Sequence, residues 1–129
     1  MTLRCLLVDD SPRFLGAAHD HLEREGIVVV GVATSIDQAL DQAERLRPDV
    51  ALVDIDLADE SGFELARRLQ QPGGPAVAAV ILISTHAEED FADLIAASPA
   101  AGFLSKAALS ADAISGLVGL PFHGHRRMR

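Results

Sequence analysis

Short apolar runs alternate with longer amphipathic stretches along most of the chain. Cys5 to Val8 is continuously apolar and closes on Asp9 and Asp10, the pattern of a strand covered on both faces. The stretch from Ser11 to Gly26 then reads as a helix. Ser11 is a good N-cap, Pro12 suits the first helical position, and Gly26 suits the stop. Phe14, Leu15, Ala18 and Leu22 share one face of it. "IVVVGVA" (27–33) reads as the second strand. Ser35 caps a second helix through Leu46, with Ala39, Leu40, Ala43 and Leu46 inward and Pro48 ending it. Further strands are expected at 49–55, 77–84 and 101–105. Further helices are expected from about Gly62 to Gln71, at 88–97 and at 110–120, the last weakened by Gly116 and Gly119. "PGGP" (72–75) is a loop signal.

Five strand–helix units predict an α/β fold: a parallel sheet with helices on both faces. In such a fold the working groove lies at the carboxyl ends of the strands. Asp9 and Asp10 follow the first strand, Asp54 and Asp56 the third, Ser84 and Thr85 the fourth. Lys106, the only lysine, follows the fifth. Three carboxylates gathered at one edge repel and raise one another's pKa, and a hard divalent cation relieves that strain. Mg²⁺ takes one or two carboxylates together with waters and phosphate oxygens. A phosphoryl group is then the natural guest, with the Ser84 hydroxyl and the Lys106 ammonium meeting its oxygens. One carboxylate acts as nucleophile and gives an acyl phosphate. Taken singly, each residue has a plainer reading: acids before a cap, loop acids, helix-capping hydroxyls, a strand-end charge. The weight lies in the set.

Composition narrows the field. A chain of 129 residues, 49% hydrophobic, suits one domain, expected over 1–120 with a short basic tail at 121–129. The apolar stretches fall well short of the roughly 20 residues of a membrane span, and the N-terminus lacks a signal-peptide pattern. A single cysteine, Cys5, excludes an intrachain disulfide and a cysteine metal cluster. A cytoplasmic protein without a membrane partner is expected. Net charge is −8 even with the three arginines of the tail included, and Trp and Tyr are absent. Both features argue against direct nucleic-acid binding by this chain. His19 and His21 read as surface residues of the first helix, and "HGH" (123–125) as part of a solvated end.

The set Asp9-Asp10, Asp54, Ser84 and Lys106 resembles the receiver domain of two-component response regulators, in order and in context, over about residues 3–120. "DIDLADESG" (54–62) is similar to that family's phosphorylation loop, with Gly62 at its glycine. "AGFLSK" (101–106) is similar to its last strand, with Phe103 at the aromatic switch position. The segment 101–120 resembles receivers attached to LuxR/NarL-type DNA-binding domains.

The resemblance implies a flavodoxin-like, doubly wound five-stranded parallel sheet of order 2-1-3-4-5 with five helices. It implies that Asp54 takes a phosphoryl group from a histidine kinase or a phosphotransfer protein. Asp10 and Asp54 would ligate Mg²⁺ with the backbone carbonyl of Asp56, and Asp9 would act directly or through water. Ser84 would bond the phosphate, Lys106 would pair with it, and an inward shift of Ser84 would let Phe103 rotate inward. Asp56 and His86 would flank the phosphate and set its lifetime. Such a protein is a switch rather than an enzyme, catalysing only its own phosphoryl transfer and hydrolysis. It would act on a downstream protein or an attached output domain, and a homodimer is left open. A charge-paired dimer through the fourth and fifth helices is not supported, because the fifth offers no Lys or Arg to Glu88, Glu89, Asp90 and Asp93.

Two positions depart from the family pattern: Ala107 stands where it places a proline joined by a cis bond, and Ala58 where it often has proline. Without proline a cis bond costs roughly 2.5–4 kcal/mol, so a differently shaped Lys106 loop is expected. Two other functions compete. A haloacid-dehalogenase-like phosphatase uses a D-x-D pair, but after its first strand and followed by Thr, whereas "DID" here follows the third strand and precedes Leu57. A degenerate receiver would bind partners without phosphorylation.

Overall fold

The computed structural model describes residues 2–75 and 77–119. The tail, its histidines and arginines, and the expected helix end at Leu120 lie outside the described residues. In chain order the elements are β1 (Arg4–Val8), α1 (Pro12–Arg24), β2 (Val28–Ala33), α2 (Ile36–Leu46) and β3 (Val50–Asp54). A hairpin of β4 (Asp56–Leu57) and β5 (Glu60–Ser61) leads into α3 (Gly62–Gln70). Then come β6 (Ala79–Ser84), a 3-10 turn (Glu88–Phe91), α4 (Ala92–Ala96), β7 (Gly102–Ser105), a second 3-10 turn (Lys106–Ala108) and α5 (Ala111–Val118).

The five long strands are parallel, in the order β2-β1-β3-β6-β7. Counting the sheet strands alone, this is the expected 2-1-3-4-5. Alternate residues of each strand point to opposite faces and build two cores. On one face Leu6, Val8, Ala51, Val53, Val80 and Leu82 pack with α2 and α3. On the other, Cys5, Leu7, Val50, Leu52, Ile81 and Ile83 pack with α1 and α5. Helices on both faces explain why β3 and β6 are buried at every position. No helix among the described residues is long and apolar enough to cross a membrane.

Caps fall where the side chains call for them. Ser11, Ser35 and Ser110 each accept a backbone N–H of the first helical turn. Gly119, at φ +77°, closes α5 earlier than expected, with its N–H bonded to Ser115 O.

The expected fourth helix differs most. It is a 3-10 turn followed by five α-helical residues, and neither piece has a side-chain cap. Ser84 does not cap it either, since the Ser84 hydroxyl accepts from His86 N at 3.0 Å. Pro99 disfavours helical backbone at Ser98 and stops the segment.

Candidate functional site

Strand register brings the site together. Val8 lies beside Val53, Asp54 beside Ile83, and Ser84 beside Ser105. Asp9, Asp54, Ser84 and Lys106 therefore emerge at one rim of the sheet. Asp9 is fully buried, Asp54 is 6% exposed and Ser84 2% exposed, while Asp10 is exposed. Carboxylate oxygens of Asp9, Asp10 and Asp54 all lie within 4.8 Å of one another.

Lys106 answers this charge from above. Its Nζ is 2.5 Å from Asp9 Oδ2 and 3.0 Å from Asp54 Oδ2, and its side chain is only 14% exposed. The ammonium also sits 4.4 Å from the centre of the Phe14 ring, a cation–π contact. The loop expected to change shape at Ala107 still delivers the lysine. No peptide bond among the described residues is cis, and Ser105 Oγ accepts the Ala107 N–H at 3.2 Å.

Each carboxylate is oriented by backbone. Asp9 Oδ1 accepts from Ser11 N at 2.8 Å, and Asp54 Oδ1 from Asp56 N at 3.1 Å. Burial is the main force on Asp54 and raises its pKa to about 6; the nearby Asp9 charge adds to this, while Lys106 and the Asp56 N–H oppose it. The cause expected from sequence, mutual repulsion of the acids, is thus the smaller part. Burial works to lower the Lys106 pKa, but its contacts with Asp9 and Asp54 outweigh burial and leave it above the ordinary lysine value.

Asp9 Oδ2 tests whether a cation belongs here. It is buried with the Lys106 ammonium 2.5 Å away, and two further acids crowd the same rim. One ammonium leaves three carboxylates unbalanced, and a further cation would relieve their repulsion. Three oxygen donors at this spacing suit a hard divalent cation.

The loop after Asp54 is closely built. Gly62 N donates to Ile55 O at 2.8 Å, and a Cβ at Gly62 would stand 2.1 Å from Asp54 O, so only glycine fits. Ala58 turns the hairpin at φ +57°, a left-handed value that proline cannot take. Glu60 Oε1 accepts from Ile36 N at 2.8 Å and ties the hairpin to the start of α2.

Other sequence-predicted residues lie further out. Asp56 is exposed, in register with Ser61. His86 is exposed, with its ring edge-on to Phe91 at 6.0 Å between centres. Phe103 is half-buried in β7, in register with Leu82, and packs on the α2–α3 core. Sequence reasoning missed Phe14 as a partner of Lys106, and Glu60, His21 and Glu25 as bridging side chains. The one available signal was that Phe14 sits a turn after the Asp9-Asp10 pair.

The sequence matches the family of response regulator receiver domains over residues 5–116. The chain belongs to the response regulator receiver family. The receiver is 30% identical over 125 residues to the response regulator GacA of Pseudomonas viridiflava, covering 96% of this chain and 57% of that protein. It spans between 18% and 57% of the length of such curated relatives. Its fold is similar to the receiver domain of the putative response regulator NarL from Mycobacterium tuberculosis. The TM-score is 0.79 at 28% identity, over 92% of this chain and 97% of that one. It is also similar to a Burkholderia pseudomallei response regulator whose structure holds a phosphorylated aspartic acid, calcium ion and citrate. There the TM-score is 0.75 at 26% identity, over 89% of this chain and 66% of that one.

Proposed function

We propose that this receiver is a phosphoacceptor switch, with Asp54 as the accepting residue and a histidine kinase or phosphotransfer protein as donor. One observation carries the reading: Asp54 stands within 4.8 Å of the other two acids, meets the sole lysine at 3.0 Å and, unlike the fully buried Asp9 that shares both contacts, keeps some exposure to solvent. An Asp54 oxygen attacks phosphorus, the P–N bond to the donor imidazole breaks, and that nitrogen keeps the bonding electron pair. Asp54 becomes an acyl phosphate, which water later hydrolyses. Asp10 and Asp54, with the Asp56 carbonyl, would hold Mg²⁺, and Asp9 would do so directly or through water. Bound there, the ion neutralises charge on the transferring phosphoryl oxygens.

Lys106 supports the same event by pairing with a phosphate oxygen. The Ser84 hydroxyl accepts one bond from His86 N and keeps its own proton to donate to another oxygen. Drawing Ser84 toward the phosphate shifts the end of β6 beside β7, and Phe103, half-buried on that side, follows inward. The changed face would signal to a downstream protein or an attached output domain. Asp56 and His86, exposed at the rim, would tune how long the phosphoryl group lasts. On this reading the protein is no enzyme toward other substrates and works in the cytoplasm.

Incubation with Mg²⁺ and acetyl phosphate tests the proposal by mass spectrometry. A gain of one phosphate, labile to hydroxylamine and lost in Asp54→Asn, is expected. Continuous phosphate release without a trapped adduct favours a phosphatase, and no reaction favours a phosphorylation-independent binding module; either overturns the reading.

A further inference from the structure

The segment that carries Lys106 has little to hold it in place by itself. It leaves β7 at Ser105, makes one 3-10 turn in which no residue is buried, and enters α5 at Ala111. Its own side chains tie the turn through one bond, from Ala107 N–H to Ser105 Oγ at 3.2 Å. Its distant anchors come from α1 and the residue that caps that helix at its C-terminus, across 86 and 88 residues of sequence. The backbone N–H of Ala111, unpaired within α5 itself, donates to Glu25 Oε1 at 2.7 Å. The Leu109 carbonyl is 2.9 Å from His21 Nε2. A carbonyl only accepts, so that nitrogen carries the proton. His21 and Glu25 lie 3.8 Å apart, one helical turn from each other. Phe14, seven residues before His21 on the same helical face, supplies the ring beneath the Lys106 ammonium. Phe14, His21, Lys106 and Leu109 line one shared groove between α1 and this segment.

We infer that His21 and Glu25 are positioning residues: by fixing the backbone at 109–111 they set where Lys106 stands over Asp9 and Asp54. The inference rests on the reading that Lys106 serves phosphoryl transfer at Asp54. Small displacements of a positioned charge cost much of its effect on a reaction, and Ala107 and Ala108 have no polar side chain to hold the turn.

The sole lysine makes a direct test available. Protein labelled with ¹³C-lysine gives a single Cε signal, from Lys106. In His21→Ala/Glu25→Ala that signal moves toward the free-lysine value. In His21→Gln/Glu25→Gln, which keeps a donor and an acceptor, it stays near wild type. Acetyl-phosphate labelling of Asp54 with Mg²⁺ slows about 3- to 10-fold in the double alanine variant, and shows no added loss when Lys106→Ala is already present. An unmoved Cε signal, or an equal slowing with and without Lys106, overturns the inference, because either means the contacts serve only the fold. Should the double variant fail to fold, Glu25→Ala alone, at an exposed position, decides by the same two measurements. If wild type takes no phosphate, the phosphoacceptor reading fails, and the lysine signal still decides the positioning role.

Discussion

Helix α1 and the α4 segment both follow a strand of the same sheet and both start at its functional rim, yet they are built differently. Helix α1 has 13 residues, a Ser11 cap and three buried side chains, Leu15, Ala18 and Leu22. His21, Glu23 and Glu25 bond the backbone of Leu109, Val29 and Ala111, so α1 is fastened to β2 and α5 as well as to the core. The α4 segment has five residues, no side-chain cap and none buried, and Leu94 is 55% exposed. It packs on the core through partly buried Ile95, with Phe91 of the preceding 3-10 turn beside it. Asp9 and Lys106 lean on the fastened side. The side bordering Ser84 and Phe103 is the one with least to lose by moving, which is what the proposed switch asks of a responding surface.

The largest expected effect sets the two sides against each other directly. Leu22→Ala empties a fully buried site and lowers stability by about 2–5 kcal/mol. Leu94→Ala on α4 changes it by no more than about 0.5 kcal/mol. Urea unfolding of the two variants measures both, and similar losses would remove the contrast.

The difference also marks how far the sequence could be read. The rim was legible because apolar runs end on Asp9, Asp54 and Ser84, and a buried run ending on an acid needs a reason. Helix starts were legible wherever a serine precedes a periodic stretch, as at Ser11, Ser35 and Ser110. The α4 segment misled because Phe91, Leu94 and Ile95 keep a helical spacing while the caps that would extend it are missing. The hairpin at 56–61 is too short for a periodic signal. Contacts of Phe14, His21 and Glu25 with the Lys106 segment join residues 86 or more positions apart, and no local pattern records which turn of α1 faces which loop.

Next in size is a pH effect on the fastened side. The folded-state pKa of Asp54 is raised from 3.8 to about 6, so between those values the folded protein keeps a proton that the unfolded chain releases. Asp54 therefore contributes stability that is fully present below about pH 4 and is lost as pH rises through 6, roughly 2–3 kcal/mol in all. In a chelator, the stability of Asp54→Asn relative to wild type should climb by about that amount from pH 4 to pH 7. A flat difference would mean that Asp54 ionises as it does in the unfolded chain. Added Mg²⁺ should recover stability at pH 7 in wild type more than in the variant.

Caps give the smaller effects. Ser11→Ala removes the bond to Phe14 N, 3.3 Å in length, and should cost about 1 kcal/mol by urea unfolding. The Asp9 bond to Ser11 N involves backbone and survives the change. An unchanged midpoint would show that the burial of α1, not its cap, holds it.

The converse substitution has the smallest expected effect and asks why α4 is short. Ala87 precedes the 3-10 turn with extended backbone, φ −76° and ψ 152°, the conformation an N-cap needs, and offers no side-chain oxygen. Ala87→Ser supplies one without adding charge beside Glu88, Glu89 and Asp90. A gain of about 0.5 kcal/mol is expected, with slower amide exchange confined to residues 88–96. If exchange slows there and the global midpoint barely moves, the looseness of α4 is a local property set by its missing cap. If neither changes, the lack of buried side chains sets it, since a helix this short depends on packing more than on its ends.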